Sequence, residues 1–136
     1  MIARIRAIAL LLSVLLFCNL AWAGSYLNRV TLLVGQGQKE AAYLRPRAGD
    51  RELARVVHEL AAARLKAASE MLVPKEVALA HPHVLLVLEN DERAAAAAAA
   101  GHPEKFQVYA LRADEEETVL RRVLGQLGWP LPKWRG

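Results

Sequence analysis

The feature that most constrains this chain is the spacing of seven residues near its C-terminal end. Phe106, Ala110, Ala113, Glu117, Leu120, Leu124 and Leu127 follow one another at intervals of 4, 3, 4, 3, 4 and 3. A strand puts every second residue on one face, whereas a helix gathers positions three and four apart. A strict 4-3 alternation is therefore a helical seam, and it needs neighbouring helices to cover it. One member of the seam, Glu117, is charged.

The same signature recurs upstream. Tyr26, Val30, Leu33, Gly37, Ala41 and Leu44 are spaced 4, 3, 4, 4 and 3, which predicts a helix over 25–44. Gly35 and Gly37 oppose it, each costing about 1 kcal/mol against alanine in a helix interior. Gly37, on the seam, would let a neighbouring helix approach closely. Pro46 then stops the helix, and Asp50 suits the cap of the next one, over 50–72. There Leu53, Val56, Val57, Leu60, Ala61, Ala67, Ala68 and Met71 share one broad apolar face, with Arg64 in its middle.

Pro74 marks the next break, and a third helix is expected over 82–100. Val84, Leu85, Leu88, Ala95 and Ala99 face one way, and seven consecutive alanines supply the strongest helix propensity available. Glu92 falls in line with Leu85 and Leu88, and His81 extends that line. Gly101-His102-Pro103 closes this helix and opens the last, over 103–127. Residues 128–136, with Trp129, Pro130, Pro132 and Trp134, form a proline-rich tail whose aromatics can fold back as a lid.

Four amphipathic segments joined by short breaks predict an all-α, up-down-up-down four-helix bundle. The competing architecture is a small α/β sandwich with strands near 29–34, 84–88 and 106–111. Helical spacing running through all four segments favours the bundle.

The first 23 residues read as a signal peptide. Arg4 and Arg6 precede an apolar run from Ala7 to Phe17, and Ala21-Trp22-Ala23 offers small residues for cleavage before Gly24. That run is short of the roughly 20 residues needed to span a bilayer. Retention as an N-terminal anchor is the alternative. A single domain, 24–136, is thus expected in the periplasm or outside the cell, with no transmembrane segment of its own. Cys18, the single cysteine, leaves with the signal, so the mature domain has no disulfide and no thiolate metal site. Losing Arg4 and Arg6 removes two charges from a formal net of +4, and the remaining basic residues are interspersed with acids. That pattern argues against a nucleic-acid partner.

Arg64, Glu92, Glu117 and His81 sit where apolar residues are expected and compose a candidate buried polar cluster. Counted from the breaks, Arg64 and Glu117 fall at a similar height in the bundle, so an ion pair between them is expected. A buried charge without a partner costs several kcal/mol. Glu92 lies about seven residues lower than Glu117, roughly 10 Å at the helical rise, too far to share a metal with it. No Glu-x-x-His occurs, no Cys-x-x-Cys-His occurs, and Ser25 and Ser69 are the only serines after the signal. His81 and His83 are two apart and diverge on a helix. No catalytic, cofactor or metal site is therefore expected. The sequence points to a structural or protein-interaction module of the cell envelope, meeting an unidentified protein partner. The alternative is a small-molecule or metal binder that uses the polar cluster.

Overall fold

A computed structural model describes the backbone of residues 2–132 and the side chains of residues 22–132. The expected signal segment up to residue 21, and Trp134 in the tail, lie outside the described side chains. Four helices make up the fold: α1 (Ile2–Leu44), α2 (Arg51–Ser69), α3 (His81–Ala99) and α4 (Pro103–Gln126). Short 3-10 turns, Arg45–Arg47 and Lys75–Val77, link α1 to α2 and α2 to α3. Among the described residues there is no strand, so the α/β sandwich is set aside. Its proposed strands at 29–34, 84–88 and 106–111 are all helical.

Local chemistry fixes the helix ends. The Asp50 carboxylate accepts from the Leu53 backbone N–H at 3.0 Å, satisfying an otherwise orphaned donor of the first turn of α2. Pro82 and Pro103 stand in the first turns of α3 and α4, where a missing N–H costs nothing. Gly101 and Gly128 take positive φ, 86° and 83°, just past α3 and α4. That left-handed step lets His102 N–H reach Ala97 O (2.9 Å) and Trp129 N–H reach Leu124 O (2.8 Å), closing both helices in the Schellman manner.

The helix α3 is the hub. It packs against α1, α2 and α4, whereas the main contacts of α1 are with α2 and α3. A closed square of four helices would also seat α4 against α1. Here a cleft separates them, lined from α1 by Gln38, Ala41 and Ala42, from α3 by Val87 and Asp91, and from α4 by Ala113, Asp114 and Glu117.

The buried core is in two parts. At the end nearer Tyr26, the core is built from Val30, Val34, Val77, Val84, Val87, Leu88, Leu120 and Leu124, with Leu131 and Trp129 of the tail packed on it. At the other end it is built from Leu44, Ala48, Ala54, Val57, Ala94, Ala95, Ala98, Phe106 and Ala110. Between the two lies a belt of polar residues. On α2 the apolar face is wider than its neighbours cover. Ala54, Val57, Ala61 and Ala68 are buried, but Val56 and Leu60 are exposed. No helix among the described residues is long and apolar enough to cross a membrane.

Candidate functional site

The polar belt takes Glu40 from α1, with Gly37 one turn before it, Arg64 from α2, Asp91 from α3 and Glu117 from α4. On every helix these follow directly after one apolar half and before the other. On α3, for example, Leu88 precedes Asp91 and Ala94 follows it. Among the described residues Asp91 and Glu117 are the two buried charged residues, 7% and 5% exposed.

Asp91 is the centre of the belt. It continues the spacing Val84, Leu88, Asp91, Ala95, Ala98, so helical geometry turns it inward with them. Its carboxylate lies over Gly37. A methyl group on Gly37 would stand 2.6 Å from Asp91 Oδ2 and 3.8 Å from Arg64 Nε. The glycine that weakens α1 as a helix is therefore the residue that leaves room for this side chain. Asp91 Oδ2 and Arg64 Nε are both buried, and neither has a hydrogen-bond partner in the protein. Burial pushes the Asp91 pKa up to about 7. The Arg64 charge opposes that rise, while Asp114, Glu117 and Glu40 add to it.

Arg64 and Glu117 stand on either side of Asp91 and influence its ionisation, as their shared height implies. They do not pair with each other. Arg64 donates from its Nη2 to Glu40 on α1. Glu117 accepts from Arg121 one turn on, at 2.9 Å from Nε and 2.8 Å from Nη2. The same guanidinium donates through Nη1 to the carbonyls of Leu131 (3.4 Å) and Pro132 (3.0 Å), tying the tail to the belt. Each charge is taken by another partner: Arg64 by Glu40 across on α1, and Glu117 by Arg121 one turn further along its own helix.

The remaining candidates lie elsewhere. Glu92 points from α3 toward α2 and meets His58 Nε2 at 2.6 Å. His81, at the first position of α3, meets the Tyr26 hydroxyl at 2.8 Å through Nδ1. Burial pushes the Tyr26 pKa well above its usual range, so this hydroxyl stays a donor. Burial lowers the His81 pKa, against a backbone hydrogen bond to Ala68 that raises it. His83 diverges from His81, as expected of a helix, and meets Glu116 of α4 at 3.2 Å. Arg64 and Glu117 thus belong to one layer, while Glu92 and His81 occupy two other contacts.

Among the described residues no three His, Cys, Asp or Glu side chains stand together as a metal site. What the belt does offer is the cleft of about 490 Å³ between α1 and α4, with Asp91 at its inner wall and the Arg45–Asp114 pair (3.5 Å) at its rim. A volume in that range suits a small organic molecule.

The sequence reading missed Asp91 and Glu40. Asp91 stands between Asn90 and Glu92 and reads there as part of a solvated charged patch. Its signal is the 4-3-4-3 spacing from Val84 to Ala98, which runs straight through it. Comparison with protein-family models, curated proteins and solved structures finds no match to this chain.

Proposed function

We propose that this chain is an exported interaction module, without catalytic activity of its own, that receives an amphipathic helix of a protein partner on its α1–α2 face. The supporting observation is the apolar stripe that the fold leaves uncovered. Val56 and Leu60 on α2 are 53% and 47% exposed, and Leu32 on α1 is 64% exposed. Ala63 and Ala67 continue the α2 stripe at helical spacing and are exposed as well. Ala67 also borders a shallow groove of about 230 Å³, with Arg29, Leu32, Leu33 and Met71 as the other walls.

A groove between two helices, walled by Leu32, Leu33 and Met71 with Ala67 as its one small residue, matches the helix-in-groove mode of recognition. Arg29 is the charged residue on its wall, which favours a partner helix with an acidic flank. Export rests on Arg4, Arg6, the apolar run and Ala21-Trp22-Ala23.

A benzophenone photocrosslinker in place of Ala63, in the full-length chain in its native cells, tests the reading. A discrete adduct with another protein is expected, lost on Leu60→Lys and on Leu32→Lys, and absent when the crosslinker replaces the exposed Glu115. An adduct of two copies of this chain, or none, would overturn the proposal.

A further inference from the structure

The connection between α2 and α3, residues 70–80, stands at the Tyr26 end of the bundle, and its apolar residues divide into two sets. Val73 packs on the core, and Pro74, Val77 and Ala80 are buried. Leu72 and Leu79 stay in solvent, 74% and 73% exposed, the two most exposed large apolar side chains among the described residues. We propose that, while the N-terminal segment is attached, this end of the bundle rests on a lipid bilayer, with Leu72 and Leu79 entering its apolar layer.

Three observations favour lipid as the occupant. First, the connection is braced from behind. Val77 N–H donates to Pro74 O (3.1 Å) and Ala80 N–H to Val77 O (3.0 Å), and the Val77 and Ala80 side chains are fully buried. The two leucines are therefore presented by a fixed loop, and exposed apolar groups that lie together mark a contact surface. Second, Trp22 shares this end. It borders the same recess as Leu72, and one turn past it Tyr26 meets His81, two residues beyond Leu79, at 2.8 Å. Trp22 is 52% exposed, and tryptophan is enriched where a bilayer meets water. Third, α1 is one helix from Ile2 to Leu44, so the chain before Trp22 leaves the bundle here. That chain includes Ala7 to Phe17, apolar throughout except for Ser13. The segment with an affinity for lipid is thus joined to the bundle at the end where the leucines stand.

Leu72 and Leu79 alone are too little apolar surface for stable attachment, which takes two signals acting together. The N-terminal segment supplies the first. The leucines supply the second, and they fix how the bundle stands on the surface. Lys66, Glu70, Lys75 and Glu76 are exposed around them, and a zwitterionic headgroup layer offers partners to both signs. A partner helix fits this end less well, because Leu72 and Leu79 sit in a connection and not on a helical stripe. Val56 lies about 20 Å along α2 from its Ser69 end at the helical rise, so the footing leaves that part of the α1–α2 face open.

Fluorescence in phosphatidylcholine vesicles provides the test, on the full-length chain carrying Cys18→Ser. A single environment-sensitive NBD label is attached through Glu76→Cys, between the two leucines, or through Glu115→Cys on α4 as the reference. The chain should float with the vesicles. The label at position 76 should shift its emission to the blue and lose intensity when brominated phosphatidylcholine is used, and the label at position 115 should do neither. Leu72→Ser combined with Leu79→Ser should return the label at position 76 to its emission in water, while the N-terminal segment still holds the chain on the vesicles. Both leucines are exposed, so the helix content by circular dichroism should match the parent. The proposal fails if the chain does not float, if the two labels behave alike, or if the double serine substitution leaves the label at position 76 in the bilayer.

Discussion

The two halves of the core solve the packing problem in opposite ways. Near Tyr26 the helices are held apart by Val, Leu and Tyr side chains that interdigitate. Near Phe106 they meet largely through the small side chains of Ala54, Ala94, Ala95, Ala98 and Ala110. The first kind of contact tolerates exchange, because neighbouring side chains can shift rotamer. The second has little to move, because an alanine methyl has no rotamer to change. The difference teaches where this bundle is rigid. The alanine half is also the end closed by the tightest connection, Ala100–His102, between α3 and α4.

The largest expected effect tests this contrast directly. Phe106 is 1% exposed and is the largest buried side chain of the alanine half, with the partly buried Tyr109 packed against the same cluster. Phe106→Ala should cost about 3–5 kcal/mol, near the top of the range for core truncations, because alanine walls cannot collapse into the space. Leu124→Ala in the other half should fall lower, at about 2–3 kcal/mol, since leucines and valines surround it. Urea denaturation of both variants measures the pair, and a larger loss for Leu124→Ala would break the contrast.

The belt between the halves gives the next effect. The Asp91 pKa stands at about 7 in the folded chain against 3.8 for the free side chain. An acid with a raised folded pKa holds its proton more tightly when folded. Its contribution to stability is full below about pH 4 and is lost as the pH rises through 7. The swing is at most about 4 kcal/mol. Asp91→Asn cannot ionise, so the stability difference between parent and variant should move in the variant's favour from pH 4 to pH 8. A difference that stays constant across that range would show that the belt does not penalise the Asp91 charge.

The smallest effect probes rigidity from the other side. Ala95→Leu adds bulk where helices meet through small side chains and should cost about 1–3 kcal/mol. Leu88→Met, a volume-conserving change in the aliphatic half, should cost less than about 1.5 kcal/mol. Melting curves that rank the two in reverse would show the alanine half to be the more yielding.

Much of this architecture is legible in the residues alone. The 4-3 seam of α4 runs from Phe106 to Leu124 as buried positions, and Glu117 is buried where the repeat put it. The glycine and proline breaks stand within a few residues of the helix ends. What escaped was the rotation of α3 about its own axis. Reading its apolar face through Leu85 and Glu92 placed the inward direction one residue, about 100°, from where Val84 and Asp91 put it. That error turned Glu92 inward and left Asp91 outside. Alanines cause it, since a run of identical residues carries no phase. The α2 stripe escaped for another reason. Val56 and Leu60 are apolar and helically spaced, but only adjacent helices decide how wide an arc becomes dry.

The missing side chain of Gly37 has one more consequence. The α1 seam offers Val30, Val34, Gly37, Ala41 and Leu44 to its neighbours. A helix with such a seam could slide along α3 by a turn, about 5.4 Å, and still bury most of its apolar surface. With Gly37 as a notch and Asp91 as the key, it has one resting place. Sliding either way would drive the methyl groups of Val34 or Ala41 onto the carboxylate, so a single absent carbon acts as the vernier mark by which α1 finds its alignment during assembly.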